Sequence, residues 1–258
     1  MSKGNLRIVG IGPGDAAWMT PEASAIVAQA SDLVGYAPYL ARLPERAAQT
    51  RHASDNREEI SRAREALALA ARDKQVAIVS GGDPGIFAMA AAVFEAIETG
   101  EPHWRALDIA VAPGISAMQA AAARLGAPLG HDFCVISLSD NLKPWPLVEQ
   151  RLIAAAEADF VIALYNPASK ARPERIHDAF ALLRARKGGA TPVIFAHAVG
   201  RAEEKIEVTS LDAADPSRAN MSTLVIIGSS ATRVIARVGA PPFVYTPRSA
   251  SGLPSTWP

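Results

Sequence analysis

Three times in its first half the chain runs a short apolar stretch straight into a glycine turn: LRIVGIGPGD (residues 6–15), QVAIVSGGDPG (75–85) and LDIAVAPG (107–114). Runs of this length suit strands better than helices, and strands apolar on both faces suit a parallel sheet covered by helices on each side. The segments between them read as those helices. Thr20, Pro21 and Glu22 give a hydroxyl cap, a first-turn proline and an early acid. Residues 56–71 place Ile60, Ala63, Leu67 and Ala70 on one face, with Glu58 and Arg62 paired on another. Helices are also predicted over 86–97 and over the alanine-rich 116–125.

The second half keeps the rhythm. FCVISL, FVIALY, PVIFAHAV and STLVIIG read as strands, and 146–156 and 173–186 as helices. KIEVTS alternates apolar and polar residues, which predicts a half-exposed antiparallel strand. The pattern predicts an α/β protein of two α/β domains with mostly parallel sheets, 5–113 and 114–247, followed by a tail, 248–258. The boundary falls at Pro113-Gly114, where a strand ends.

Composition removes several function classes. The 26 basic and 26 acidic side chains cancel, which argues against a nucleic-acid binder. The single cysteine, Cys134, allows no intrachain disulfide and no cysteine-rich metal site, and its place in FCVIS predicts a core residue. No HExxH or paired His/Cys spacing predicts a metal. The start reads as a strand entry rather than a signal peptide, and the longest apolar runs are far too short to span a membrane. A cytoplasmic protein with no membrane partner is expected.

The glycine turns invite comparison with nucleotide cradles. GIGPGD opens like a dinucleotide fingerprint, but Asp15 stands where the third glycine belongs, and Asp32 precedes the second strand instead of following it. There is no GxxxxGK[ST] and no GxSxG. Each loop alone reads as a tight turn.

Taken in order, GIGPGD, VSGGDPGIFAMA, VAPGISAMQAA, ALYNP and MSTLVIIG resemble the tetrapyrrole methylase family, the class III S-adenosylmethionine-dependent methyltransferases. The resemblance runs from about residue 5 to about residue 246. It implies a cofactor cleft between the two domains, S-adenosylmethionine as methyl donor, S-adenosylhomocysteine as product, a small tetrapyrrole as substrate and a homodimer. Carried over residue by residue, it places Gly81, Gly82, Asp83 and Ile86 on the cofactor, with Pro13, Ser116, Ala117, Tyr165, Asn166, Ala198 and Thr223 around it.

VGYAPYL (34–40), SLSDNLKPW (137–145), DFVIALYNPASKARPERI (159–176) and VYTPR (244–248) are similar to the branch that methylates carbon 17 of precorrin-3B and contracts the ring to precorrin-4, a step of cobalamin synthesis. The uroporphyrinogen branch carries an acid directly after the tyrosine of the second strand, where this chain has Ala37. Tyr36, Tyr39, Arg51, Lys143, Lys170 and Arg172 are candidates for substrate contact. Asp83, Asp140 and His52 are candidates for the base that ring contraction uses. Asp83 also reads as a helix-capping acid, since Asp-Pro before a helix suits the dipole. The basic residues after ALYNP also read as a solvated helix start. Open alternatives are a sister methylase acting on another ring carbon or on a cobalt-containing intermediate, a methylase of ribosomal RNA or protein, and a nucleotide-binding oxidoreductase or non-catalytic module.

Overall fold

The computed structural model describes residues 4–55, 58–168 and 172–249, and the chain divides into two compact units, Met1–Ala117 and Met118–Pro258. The start of the helix expected from residue 56, Lys170 and most of the tail expected at 248–258 lie outside the described residues.

The first unit contains β1 (Asn5–Gly10), α1 (Pro21–Gln29), β2 (Asp32–Tyr36), α2 (Ala37–Leu40), β3 (Thr50–Ser54), α3 (Glu59–Ala70), β4 (Gln75–Ser80), α4 (Met89–Thr99) and β5 (Asp108–Ala112). Its five strands pair in the order β3-β2-β4-β1-β5, all parallel. Both faces are covered. Leu6, Ile8, Val34 and Ile78 pack with Ala63, Leu67 and Val93 of α3 and α4, while Val9, Leu33 and Val79 pack with Ala23, Val27 and Leu40 of α1 and α2. That double burial is why the strand sequences do not alternate. α1 starts as predicted: the Thr20 hydroxyl accepts a hydrogen bond from the Ala23 N–H at 3.0 Å, and Pro21 opens the helix.

One local expectation is corrected, and one strand has no counterpart in the sequence reading. α4 begins at Met89 rather than at residue 86, because Phe87 sits at φ 51°, a conformation no helix accommodates. TRHAS, unremarked in the sequence, forms the edge strand β3, whose partly exposed faces leave no apolar run to recognise.

After α5 (Ala117–Leu125), the second unit contains β6 (Gly126–Ala127), β7 (Phe133–Ser137), α6 (Trp145–Glu157), β8 (Val161–Tyr165), α7 (Arg175–Arg184), β9 (Pro192–His197), β10 (Lys205–Ser210), β11 (Thr223–Ile227), β12 (Arg233–Ile235) and β13 (Phe243–Tyr245). The main sheet has the order β10-β9-β11-β8-β7. Parallel pairing, expected for both sheets, holds throughout the first but here only for β7 with β8; β11 runs antiparallel to both β8 and β9, and β9 to β10. TLVII is buried along its whole length, and burial on both faces erases the alternation that would have betrayed its direction. KIEVTS is the antiparallel edge its alternation predicts. The core joins Val148, Leu152, Ile176, Phe180 and Leu183 of α6 and α7 to Ile162, Leu164, Val193, Phe195 and Val225 of the sheet. Phe180 stacks on Phe195 with centroids 6.0 Å apart.

Asp159, at φ 55°, ties three segments of this unit together. Its carboxylate accepts from Lys187 Nζ at 2.8 Å, the Ser230 hydroxyl at 2.6 Å and the Ser230 N–H at 3.0 Å. Burial pushes the Asp159 carboxyl up, but the bonds from Lys187 and Ser230 outweigh it and hold the group below its ordinary range. A depressed folded-state pKa contributes stability above the unfolded value, about 3.9, and that contribution is lost as pH falls through the folded value. Lys187→Met is therefore expected to lower the melting temperature at pH 7 by an amount equivalent to about 1 kcal/mol. The difference from wild type should shrink toward pH 3, which melting curves across that range will read. Beside Lys187, the Cys134 thiol is pushed up to about 11 by burial, against the pull of the ammonium.

Candidate active site

The glycine loops leave the carboxyl ends of three neighbouring strands. β1 lies between β4 and β5, and Gly10 is in register with Ser80. The loops then bond to one another: the Gly12 N–H donates to Gly82 O at 3.2 Å, and the Gly82 N–H donates to Gly12 O at 2.9 Å. Both glycines have positive φ, 68° and 69°, which side chains other than glycine reach only with strain.

The absent side chains serve different ends. A Cβ on Gly10 would come within 2.7 Å of Gly82 O and of Gly114 N. A Cβ on Gly114 would fall inside Gly82 O and 2.9 Å from Gly10 Cα. These glycines let three backbones stack. Gly81 makes room for Tyr39, whose ring would lie 2.7 Å from a Cβ there. Gly82 differs, because a Cβ built on it meets nothing nearer than Ile115 O and Ser116 Cα at 3.9 Å. Its bare face opens on space, as a backbone cradle for a close-lying ligand requires.

Asp83 sits at the centre of this junction. Its Oδ1 accepts from the Gly85 N–H at 2.8 Å, and its Oδ2 accepts from the Gly114 N–H at 3.0 Å. It does not cap α4, which starts six residues later; it latches the second loop to the third. Ile86 closes the turn through its N–H to Asp83 O, at 3.4 Å. Pro13 and Ser116 are buried beside the glycines, and Ala117 opens α5. Tyr36 and Tyr39 meet edge to face, centroids 5.3 Å apart.

Two arginines and a histidine have partners that the sequence did not disclose. Arg42 straps the first loop, its Nη2 lying 3.1, 3.0 and 2.6 Å from the carbonyls of Ile11, Gly12 and Gly14. No spacing in the sequence signals this. Arg51, expected to meet substrate, donates to the carbonyls of Leu40, Leu43 and Pro44 at 2.7–2.9 Å and holds the segment after α2. His52 lies on edge strand β3 with Nε2 2.8 Å from the buried Asp32 carboxylate and Nδ1 3.2 Å from Glu65. Burial raises the Asp32 carboxyl, but bonds from His52 and Ser31 outweigh it and hold it low. Both ring nitrogens of His52 thus face carboxylates, and the residue lies two strands from the glycine junction.

In the second unit the expected residues gather at one end of the main sheet. Tyr165 ends β8, and its hydroxyl accepts from the Met118 N–H at 3.1 Å. Asn166, at φ 51°, donates from Nδ2 to Ser137 Oγ at 2.9 Å. Ala198, at φ 48°, follows β9 and donates its N–H to Ser222 O at 2.9 Å. Thr223 opens β11, buried, its hydroxyl accepting from the Asn220 N–H and donating to Asn220 Oδ1, both at 3.1 Å. A cavity of about 440 Å³ lies beside Thr223, bounded by Phe195, His197, Lys205, Glu207, Arg218 and Asn220.

Asp140 follows β7 and faces Arg175 Nε at 2.9 Å and Arg172 Nε at 3.4 Å. Burial pushes its carboxyl up, yet the bond from Arg175 and the charges of both guanidiniums together outweigh it and hold the group below the ordinary range. A carboxylate so engaged is a poor proton acceptor. Burial, with Arg151 nearby, lowers the Lys143 ammonium. Among the described residues no group of three or more His, Cys, Asp or Glu could hold a metal, and no helix is long and apolar enough to cross a membrane.

Residues 5–215 match the family model for Tetrapyrrole (Corrin/Porphyrin) Methylases. The chain belongs to this family. Among curated tetrapyrrole methylases it is 57% identical to a precorrin-3B C(17)-methyltransferase from Sinorhizobium sp, over 96% of this chain and 98% of the relative. It is 41% identical to a probable cobalt-factor III C(17)-methyltransferase from Salmonella typhimurium, over 89% of this chain and 94% of the relative. Among solved tetrapyrrole methylases, the crystal structure of the methyltransferase CobJ superimposes with a TM-score of 0.90 at 49% identity, covering 95% of this chain and all of the other.

Proposed function

We propose that this tetrapyrrole methylase transfers a methyl group from S-adenosylmethionine to carbon 17 of precorrin-3B and contracts the ring to precorrin-4, in the synthesis of cobalamin. The observation that carries the reading is the near end-to-end match, at 57% identity, to a relative of that activity. The cytoplasm is its expected location.

The residues fit the cofactor. The bare face of Gly82 admits close backbone approach, and Pro13, Gly81, Ile86, Ser116 and Ala117 surround the same junction. Tyr165, Asn166, Ala198 and Thr223 are the second unit's proposed cofactor contacts. When bound, S-adenosylmethionine supplies an electrophilic methyl on a sulfonium. The protein's own part is alignment, worth several powers of ten when reacting atoms are held in line. Asp83 contributes by fixing the second and third loops against each other, and Arg42 by fixing the first. Tyr36 and Tyr39 offer an aromatic edge for the macrocycle beside Gly81. The three expected bases all have assigned partners: Asp83 two backbone amides, Asp140 two arginines, His52 two carboxylates.

Incubation with S-adenosylmethionine and metal-free precorrin-3B is expected to give a ring-contracted product with one added methyl by mass spectrometry. No product, together with calorimetric binding of NAD but not of S-adenosylhomocysteine, would return the chain to the oxidoreductase reading. A second substrate reading rests on the Salmonella relative, whose name specifies cobalt-factor III. The cobalt-containing substrate run in parallel decides between the two by relative kcat/KM.

We further propose a homodimer, on the strength of the family resemblance. Light scattering is expected to give about twice the monomer mass of 27.1 kDa, and a monomer at working concentration would contradict this.

A further inference from the structure

The loops after β7 and β8 leave the carboxyl ends of the one parallel pair in the second sheet, the end at which open α/β sheets bind ligands. They carry a built arrangement of cations. Asp140 holds Arg172 and Arg175 through the Nε of each, at 3.4 and 2.9 Å. Arg172 also donates from Nη1 to Leu138 O at 3.2 Å. Arg175 also donates from Nη1 to Asp178 at 3.2 Å, and its guanidinium lies over the Trp145 ring at 4.6 Å. Trp145 in turn packs on the core.

One carboxylate thus fixes two guanidiniums, and an indole supports one of them. Among the described residues the remaining terminal nitrogen, Nη2, of each guanidinium has no hydrogen-bond partner, and both side chains keep some exposure, 14% and 31%. Nitrogens oriented in this way form a preorganised receptor for a planar anion, because little freedom is left to lose on binding. The cluster also lies at the end of the sheet where Asn166 bonds to Ser137.

We propose that Arg172 and Arg175 bind a peripheral carboxylate of the substrate, an acetate or propionate arm of the tetrapyrrole, and that Asp140 is the positioning residue that aims them. This rests on the tetrapyrrole reading above. It assigns Asp140 to the geometry of substrate binding and removes it from the proton-transfer step.

The test is steady-state kinetics with the tetrapyrrole substrate at saturating S-adenosylmethionine. Arg172→Gln and Arg175→Gln are each expected to raise KM about tenfold, the order of one charge-assisted bond. Their kcat should stay within about twofold, as for loss of uniform binding. Calorimetric affinity for S-adenosylhomocysteine should not move. Arg175→Lys keeps the charge but not the fork and should fall between, which guards against a glutamine variant that fails to fold. The rise of KM with added salt should be shallower in the glutamine variants than in wild type. Asp140→Asn should retain kcat within about threefold. A hundredfold fall in its kcat would overturn the assignment by restoring Asp140 as a base. KM unmoved in folded arginine variants, with an active wild type, would overturn this proposal and leave the methylase reading standing. An inactive wild type would sink both.

Discussion

Asp83→Asn is expected to weaken S-adenosylhomocysteine binding by about tenfold or more, with turnover falling in parallel. Both oxygens of the wild-type carboxylate accept backbone N–H groups, from Gly85 and Gly114. Asparagine offers one acceptor, so its amide NH2 must face one of those donors. A hydrogen bond to a charged group contributes about 1.5–3 kcal/mol, and losing one frees the third loop from the second. Calorimetry and single-turnover assays on the same preparation separate this from the alternative. If Asp83 instead accepted a proton from substrate, affinity would hold while the chemical step slowed by about a hundredfold or more. Unchanged affinity with a slow chemical step is thus the result that defeats the latch.

Gly114→Ala should have the larger consequence. The added methyl would lie inside the Gly82 carbonyl oxygen and 2.9 Å from Gly10 Cα. All of these neighbours are backbone, so no side chain can swing aside. Overpacking of this kind costs about 1–3 kcal/mol, and a loop displaced by about 1 Å costs on the order of a hundredfold in rate. The variant is expected to melt several degrees lower and to lose S-adenosylhomocysteine binding beyond calorimetric reach. Gly188→Ala is the matched control, since a Cβ there meets nothing within 4 Å. Wild-type binding by a folded Gly114→Ala protein would show that the three loops need not stack.

Much of this junction was legible in the sequence, because a glycine directly after an apolar run marks both a strand end and a backbone approach. What approached what was not legible. Gly81 and Gly82 are adjacent in sequence, yet one makes room for Tyr39 and the other opens on space. Asp83 looked like a cap for the following helix, and only the left-handed turn at Phe87 reveals that the helix starts too late. Strand positions were readable from apolar runs. Strand direction in the second sheet was not, since TLVII is buried on both faces and carries no mark of its neighbours. The partners of Arg42, Arg51 and His52 could not be read from the sequence for a common reason: they are carbonyls and carboxylates 7 to 31 residues away, and charge in a sequence does not announce its counterpart.

The state of Cys134 has a practical use. A thiol moved from near 9 to about 11 carries about a hundredfold less thiolate at neutral pH, and thiolate is the form that alkylating reagents attack. With no second cysteine in the chain, the unmodified protein is expected to label only slowly with maleimides, which a timed labelling assay on wild type will check. A cysteine introduced at an exposed position, such as Leu142 at the tip of the loop after β7 or Val238 in the turn between β12 and β13, would take up a fluorophore or spin label selectively. Movements of either loop on substrate binding could then be followed in an otherwise native background.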